Sequence, residues 1–431
     1  MREKLKSRRK FLGAGAATVG GAFAIAGDTG TRGAEQAPKE KSGIKITDLK
    51  TATLRANFDW HLVRVYTDAG VTGLGEAYWG AGVEDLIRRI KQFLVGEDPL
   101  NVDRLTTKMV RSMAGAGSQS GATVTAISGI EIALWDLAGK ILGVPVYQLL
   151  GGKYRDAVRV YCDSGEGKTE DIGSWRERAQ FVKSKKFNWY KFDCDGIPKD
   201  RARASQPYTR RADGWNRLLG EDDIRMIVER MTAAREVLGD GPSAPEMSID
   251  CHWSFDARDA VRLAEALAPL KLIWLEDPVP PKNWAAMKFV TDHSPVAIAT
   301  GENLYTKYEF RELTQEHACD ILHIDVPKVG GLRESQRIAD MADLEFIPTA
   351  IHNVASPVGT LACAHVAATI PDFLALEWHS VDVPWWAETV HYDGPVMENG
   401  FIKVPNRPGL GVELNDEVCR KYLEKGSTYF E

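Results

Sequence analysis

Short runs of apolar residues alternate with amphipathic helical patterns along the chain from about residue 157 onwards. Over residues 257–270, between two such runs, apolar side chains recur at the spacing of one helix face. The runs themselves are continuously apolar, as strands are when helices cover both faces of a parallel sheet. Eight strand candidates follow one another: residues 158–162, 188–193, 247–250, 272–276, 296–302, 320–325, 345–352 and 373–377.

Eight strand–helix units predict an α/β fold of the closed (β/α)8 type, a modified TIM barrel. A doubly wound open sheet is the alternative, but no glycine-rich phosphate loop follows the first strand. The segment before the barrel has a different pattern, with strand candidates at 44–53, 61–67 and 71–77 followed by three helical stretches. It predicts an α+β capping domain beside the barrel, to which the turn-rich tail after residue 390 returns.

The first residues of the chain have the pattern of a targeting segment. Arg8 and Arg9 precede a weakly apolar run of small residues, which is typical of a twin-arginine export signal and too poor in large apolar side chains for a membrane span. A disordered basic N-terminus is the alternative. The predicted organisation is an export signal at 1–26, a linker at 27–43, an N-terminal capping domain at 44–156, a barrel catalytic domain at 157–390 and a C-terminal segment at 391–431 returning to the capping domain.

Composition and charge narrow the choice of partners. The chain is 44% hydrophobic and 26% charged, which is ordinary for a globular protein. Removal of residues 1–26 lowers the formal net charge from −6 to −11, which argues against nucleic acid and anionic membranes as partners.

The six cysteines show no CxxC pair, so their spacing indicates no disulfide framework, although a disulfide remains open in an exported protein. A periplasmic or otherwise extracytoplasmic location is expected.

Acidic residues recur at the ends of the predicted barrel strands. Asp250, Glu276 and Glu302 end the third, fourth and fifth strand candidates, 26 residues apart each time, which is about the length of one strand–helix unit. The three carboxylates should therefore converge at the barrel mouth, where they would repel one another without a cation. Oxygen-only ligands suit Mg²⁺. We therefore expect one Mg²⁺ per chain, although a single strand-end acid could equally be a helix cap or a surface charge.

Two further strand ends continue this series. Asp325 ends the sixth strand candidate and His352 ends the seventh. An aspartate beside a histidine fixes its tautomer and raises its basicity, which is the arrangement of a general base. A lone His352 could be a core histidine, but its position opposite the predicted metal site favours a catalytic role.

Several spaced motifs together resemble the enolase superfamily, in its mandelate racemase-like subgroup, from about residue 44 to the end of the chain. The resemblance rests on GLGEA (73–77), GIEIALWDLAGK (129–140), LEDPVP (275–280), TGEN (300–303), PNRPGLGVELNDE (405–417), the three strand-end carboxylates, the Asp325–His352 pair and Glu377. In such families Mg²⁺ chelates the substrate carboxylate, a base removes the α-proton, and the metal stabilises the resulting enediolate. The resemblance implies that Glu377 is a hydrogen-bond donor or charge near that carboxylate.

Two residues separate the possible reactions. Racemases of this kind have KxK on the second strand, whereas this chain has Lys191 followed two residues later by Asp193, which disfavours a two-base racemase. His252, two residues after Asp250 and expected on the same side of the strand, resembles the acid of galactonate and mannonate dehydratases. The sequence therefore predicts a dehydratase that converts a sugar acid to a 2-keto-3-deoxy acid, with His352 as base, His252 as acid and Lys191 as a substrate contact.

Some alternatives and assignments stay open. An epimerase or cycloisomerase on the same fold is one alternative, and an exported binding protein without turnover is another. The polar insertion at 194–221 either contributes to the site or is a surface loop, and its candidate contacts are Tyr208, Arg210 and Arg211. His323 and His379 either face the site or are structural. Substrate identity should depend on capping-domain loops near residues 57–60, 78–80 and 115–121, and the enzyme is expected to form a symmetric homo-oligomer.

Overall fold

The computed structural model of the protein describes residues 43–167, 171–194 and 218–431. The N-terminal part begins with a three-stranded antiparallel sheet in the order β1-β2-β3. Its elements are Ile46–Arg55 (β1), Asp59–Thr67 (β2), Thr72–Ala77 (β3), Val83–Ile90 (α1), Val102–Ser112 (α2), Ala122–Leu142 (α3) and Val146–Leu149 (α4), with short 3-10 turns at Lys91–Phe93 and Ala114–Ala116. We call this part the capping unit.

Helix α3 is the core of the capping unit. It packs along β3 so closely that a Cβ at Gly75 would lie 2.3 Å from the carbonyl oxygen of Gly129. By length and composition α3 could also cross a membrane, but 89% of its apolar window is buried within the fold. A helix that is apolar all round is buried in a protein core or in a membrane, and the packing of α3 corresponds to the first case.

A closed barrel of eight parallel strands follows, as the alternation of apolar runs predicts. Strands β4 to β11 are hydrogen-bonded in chain order, and β11 pairs with β4 to close the ring. The elements are Ala157–Asp163 (β4), Ile172–Lys183 (α5), Trp189–Asp193 (β5), Glu221–Leu238 (α6), Glu246–Asp250 (β6), Ala257–Leu267 (α7), Leu275–Glu276 (β7), Trp284–His293 (α8), Ile298–Thr300 (β8), Thr306–Gln315 (α9), Ile321–Asp325 (β9), Val326–Val329 (α10), Leu332–Leu344 (α11), Thr349–His352 (β10), Pro357–Thr369 (α12) and Phe373–Trp378 (β11), with a 3-10 turn at Ala268–Leu270.

The C-terminal segment contacts both the barrel and the capping unit. It contains Val390–His391 (β12), Phe401–Lys403 (β13), Glu413–Leu414 (β14) and Asp416–Lys421 (α13), with a 3-10 turn at Trp386–Thr389. Strand β13 pairs antiparallel with β4 of the barrel, a pairing that the sequence did not indicate. Further on, the backbone N–H of Glu424 donates to the carbonyl of Thr53 in β1.

An aromatic layer fills the barrel interior and forms the floor of the strand-end region. Tyr161, Trp189 and Trp274 are fully buried, and the rings of Trp189 and Trp274 have centroids 4.5 Å apart. Two of these side chains also have polar ends that point to acids: the hydroxyl of Tyr161 donates to Glu377, and the indole of Trp274 donates to Glu276. A packed barrel interior therefore closes one side of the region where the strand-end residues meet.

Candidate active site

A cavity of about 470 Å³ lies between the carboxyl ends of the barrel strands and the capping unit. Six sequence-predicted residues line it: Lys191, Asp250, His252, Glu302, His352 and His379. The capping unit contributes Phe58, Tyr78, Trp79 and Gly80, which belong to two of the three loops that the sequence pattern singled out for substrate contact. Glu276, Asp325 and Glu377 are buried beside these residues.

The three predicted metal ligands lie at the barrel mouth. Asp250 closes β6, Glu276 closes β7, and Glu302 follows β8 by two residues. Their carboxylates interact, because burial and then the charge of Asp250 raise the pKa of Glu276 well above its ordinary value. Buried acids that repel one another and offer only oxygen ligands fit a hard divalent cation.

The donor atoms of these three acids do not form one compact cluster. In the described part of the chain, two sets of three side chains have donor atoms that all lie within 4.8 Å of one another: Asp193 with Asp250 and His252, and Glu276 with His323 and Glu377. The predicted ligands are thus divided, with Glu302 in neither set. Glu302 instead contacts His352 on one side and accepts a hydrogen bond from Asn303 on the other.

Lys191 stands among the carboxylates. Its Nζ lies 3.0 Å from Asp250, 3.1 Å from Glu276 and 3.3 Å from both Asp163 and Glu377. Burial alone would lower the pKa of Lys191, but the surrounding acids hold it well above its ordinary value. The ammonium group therefore balances part of the negative charge of the site.

Asp325 and His352 form the dyad expected from their positions. The Nδ1 atom of His352 lies 2.6 Å from Oδ2 of Asp325, and Nε2 lies 2.7 Å from Oε2 of Glu302. Strands β9 and β10 are in parallel register, which pairs the two dyad residues directly. Although burial disfavours a charged imidazole, Glu302 and Asp325 raise the pKa of His352 well above its ordinary value. The ring is oriented through Nδ1, as a general base requires.

His252 reaches the cavity by a different route from the predicted one. Strand alternation does not place it, because β6 ends at Asp250 and His252 has a left-handed φ of 44°. The turn still directs the side chain toward the site, since its Nε2 lies 3.8 Å from Asp250 and its backbone N–H donates to the same carboxylate. The side chain is 46% exposed, so it borders the open side of the cavity.

Glu377 and His323 lie deeper, against the aromatic floor. Glu377 accepts a hydrogen bond from Tyr161 at 2.7 Å, and burial raises its pKa to about 8 against the lowering effect of Lys191. His323 is fully buried between Tyr161 and Glu276, and burial lowers its pKa to about 3. Of the two extra histidines that the sequence left open, His379 therefore borders the cavity, whereas His323 is part of the floor.

Two charged residues of the cavity escaped the sequence reasoning. Asp163 closes β4 and lies 3.7 Å from His379, so the strand-end rule would have found it had it been applied to the first strand. Lys328 donates to Asn303 at 2.7 Å and lies 4.4 Å from the centre of the Tyr78 ring. No sequence signal marks Lys328 except its position three residues after Asp325.

Three other sequence predictions have different outcomes. Tyr208, Arg210 and Arg211 of the insertion lie outside the described residues, as does the predicted export signal. All six cysteines are buried, and the sulfur atoms of Cys194 and Cys251 lie 3.7 Å apart.

A barrel with acids and a histidine–aspartate pair at its mouth, covered by an α+β unit, has the architecture of the enolase superfamily. A family model described as "Enolase C-terminal domain-like" matches residues 175–418, and one described as "Mandelate racemase / muconate lactonizing enzyme, N-terminal domain" matches residues 46–151. The chain belongs to this mandelate racemase/muconate lactonizing enzyme family. Enzymes of the superfamily usually bind a divalent metal.

Several similar proteins are named as sugar-acid dehydratases, which are hydro-lyases. A D-xylonate dehydratase of Haloferax volcanii is 46% identical over 391 residues, covering 90% of this chain and 91% of that protein. A D-galactonate dehydratase of Ralstonia pickettii is 30% identical, covering 87% and 93%. Among solved structures, a mandelate racemase/muconate lactonizing enzyme-like protein from Rubrobacter xylanophilus superposes with a TM-score of 0.84 at 41% identity, covering 90% of this chain and all of that one.

Proposed function

We propose that the protein is an Mg²⁺-dependent dehydratase that removes the C2 proton of a sugar acid and eliminates the C3 hydroxyl to give a 2-keto-3-deoxy acid. D-xylonate is the first candidate substrate, because the relative at 46% identity is named for it. The observation that carries the proposal is that one cavity joins buried acids, the His352–Asp325 dyad and a second histidine, His252. Elimination of water needs such a base and such an acid.

Asp250, Glu276 and Glu302 would hold the metal ion. When bound, Mg²⁺ would supply positive charge to bind the substrate carboxylate and to offset the negative charge that develops as C2 loses its proton. Lys191 adds a fixed positive charge next to two of these acids, so it supports binding of an anionic substrate.

His352 would accept the C2 proton at Nε2. Asp325 holds the other ring nitrogen, Nδ1, and stabilises the imidazolium that forms. Because Nε2 faces Oε2 of Glu302 at 2.7 Å, His352 would have to exchange this partner for the substrate. The contact with Glu302 therefore affects whether Nε2 of His352 can accept a proton from the substrate.

His252 would donate a proton to the departing C3 hydroxyl, because hydroxide is a poor leaving group. It follows β6, whereas His352 ends β10, and four strand steps in a ring of eight separate opposite sides of the mouth. A base and an acid on opposite sides favour loss of the proton and the hydroxyl from opposite faces of the substrate. The enol product would then tautomerise to the keto acid.

A screen of aldonic and aldaric acids for keto-acid formation, with D-xylonate, D-gluconate and D-galactonate included, tests this function. In deuterated water, His352→Asn should lose both C2 exchange and dehydration, whereas His252→Asn should keep exchange and lose dehydration. His317→Asn, an exposed histidine outside the cavity, is the matched control and should retain both. Exchange at the wild-type rate in His352→Asn would refute its assignment as base.

The alternative on the same fold is an epimerase or cycloisomerase. Asp193 stands where a second lysine base would be expected, and burial together with Asp163 raises its pKa well above the ordinary value. The carboxyl group of Asp193 therefore replaces the second lysine base on which a two-base racemisation of this family would depend. C2 exchange with inversion and without any keto product would favour the alternative.

Location and assembly belong to the same proposal. We propose export by the twin-arginine route and a symmetric homo-oligomer that acts on a small-molecule sugar acid. Cell fractionation of the wild type and of an Arg8→Lys, Arg9→Lys variant tests the route, since the variant should stay in the cytoplasm. Light scattering of the purified enzyme measures the assembly.

A further inference from the structure

Two glutamates of the capping unit contact the N-termini of two barrel helices. Glu76 lies on β3 and Glu131 on α3, and each is 1% exposed. The first turn of a helix has backbone N–H groups without partners inside the helix, and a carboxylate there satisfies them and interacts favourably with the helix dipole. We call Glu76 and Glu131 the helix-capping glutamates.

Glu76 contacts the start of α12. Its carboxylate accepts hydrogen bonds from the backbone N–H groups of Ser356 and Gly359, both at 2.9 Å, and from the hydroxyl of Ser356. The same serine caps the helix from within, because its hydroxyl accepts from the N–H of Val358. The two caps together fix where α12 begins, five residues after His352.

Glu131 contacts the start of α11 in the same way. It accepts from the backbone N–H groups of Leu332 at 2.8 Å and Arg333 at 3.0 Å, and the indole of Trp135 donates to it at 2.7 Å. The N-cap residue of α11 is Gly331, which has no side chain to make these bonds. A Cβ at Gly331 would lie 2.1 Å from the Glu131 carboxylate, so a side chain at this position would displace the carboxylate from the helix start.

The two helices that receive these caps follow the two strands of the dyad. Strand β9 ends at Asp325 and leads through α10 to α11, and β10 ends at His352 and leads to α12. Three other barrel helices, α5, α7 and α8, are capped by side chains of their own N-cap residues: Asp171, Asp256 and Asn283. The capping unit thus contacts α11 and α12, the two helices that follow the strands of Asp325 and His352.

The same connection extends to the wall of the cavity. Two residues after Glu76, the backbone N–H of Tyr78 donates to the carbonyl of Pro327 in α10 at 3.1 Å. The Tyr78 ring lines the cavity, and its centre lies 6.1 Å from that of His352. Strand β3 therefore links the segment after Asp325 and the segment after His352 to the capping wall, by which we mean the cavity lining formed by Phe58, Tyr78, Trp79 and Gly80.

We propose that Glu76 and Glu131 are positioning residues that set the His352–Asp325 dyad against the capping wall of the cavity. The inference rests on the proposed function for its catalytic consequence, but the contacts themselves do not depend on it. If the capping unit holds the dyad strands in register, loss of one glutamate should displace the base from its productive geometry. Such a displacement slows proton transfer more than it weakens substrate binding.

The test compares Glu76→Ala, Glu76→Gln and Glu131→Ala with Asp136→Asn. Asp136 is an equally buried acid of the capping unit that accepts from the backbone N–H groups of Leu74 and Leu410, far in sequence from the dyad helices. We expect kcat to fall at least tenfold in Glu76→Ala and Glu131→Ala with KM changed less than threefold. Glu76→Gln keeps one carbonyl acceptor and should retain more activity than Glu76→Ala, while Asp136→Asn should keep kcat within twofold.

Hydrogen exchange measured by mass spectrometry gives a readout without substrate. Glu76→Ala should speed exchange in residues 353–361, and Glu131→Ala in residues 330–336, whereas Asp136→Asn should leave both segments protected. The proposal is overturned if the folded alanine variants keep kcat within twofold, or if exchange rises equally in all variants and segments. Should the wild type dehydrate no sugar acid, the proposed function fails, and the exchange pattern alone supports or overturns the positioning role.

Discussion

Replacement of Lys191 by methionine should destabilise the metal-free protein far more than the metal-loaded protein. Methionine keeps a similar length and apolar stem but removes the charge. The ammonium lies between 3.0 and 3.3 Å from four buried carboxylates: Asp163, Asp250, Glu276 and Glu377. At an effective dielectric constant of about 20, a contact at this distance corresponds to a gross attraction of about 5 kcal/mol for each carboxylate that is ionised.

Most of that attraction is offset by the desolvation of the groups, so the net effect is smaller. Loss of one partner from a buried ion pair typically destabilises a protein by about 3–5 kcal/mol, because an uncompensated charge stays buried. At an unfolding entropy of about 2 cal/mol/K per residue, a loss of about 4 kcal/mol lowers the Tm of a chain of 431 residues by roughly 4–5 °C.

Thermal melts with EDTA and with saturating Mg²⁺ measure the effect. A divalent cation bound by Asp250 and Glu276 compensates the charge that Lys191 leaves behind, so Mg²⁺ should raise the Tm of Lys191→Met more than that of the wild type. Lys140→Met is the matched control, since Lys140 forms a partly buried ion pair with Asp136 at 2.9 Å on α3. Its Tm loss should be the same with and without Mg²⁺. A Mg²⁺-induced rise in Lys191→Met no larger than in the wild type would refute the reasoning.

Three more predictions follow from the same contacts. Gly331→Ala should lower the Tm well beyond Gly394→Ala: both have a positive φ that strains a non-glycine residue, but only Gly331 would place its Cβ against a carboxylate; equal losses in thermal melts would contradict the crowding. Burial raises the pKa of Glu131 from 4.5 to about 7, so its contribution to stability is present below pH 4.5 and lost as the pH rises to 7. Unfolding of Glu131→Gln should therefore show a shallower decline over this range, by up to about 3 kcal/mol, and a decline unchanged from the wild type would exclude the shift. Chelation of divalent metal should abolish turnover reversibly, with activity restored by Mg²⁺, and full activity after exhaustive chelation would contradict a metal requirement.

The barrel could be predicted from the sequence because its signal is local and repeated. Each apolar run is one strand, and the spacing of 26 residues between Asp250, Glu276 and Glu302 follows from the length of one unit. Parallel strands in register bring their ends together, so the position of the acids followed from the fold alone. The pairing of Phe401–Lys403 with β4 is the opposite case, since its partner lies more than 200 residues earlier and leaves no local pattern.

The site was less predictable because its geometry depends on turns and on side-chain packing. His252 reaches the cavity through a residue in the left-handed region, which strand alternation cannot foresee. The sequence suggested Lys191 as a substrate contact but not that four acids surround it. Glu76 and Glu131 were visible only as parts of family motifs, since the helix starts that they contact lie at least 200 residues away.

The most direct test of the central claim is the fate of D-xylonate in deuterated water with Mg²⁺, followed by NMR. The account predicts loss of water and accumulation of a 2-keto-3-deoxy acid, with the C2 proton transferred through His352. It also predicts no product from the His352→Asn variant under the same conditions. Exchange or inversion at C2 without any keto acid, for D-xylonate and for every other aldonate tried, would contradict the account.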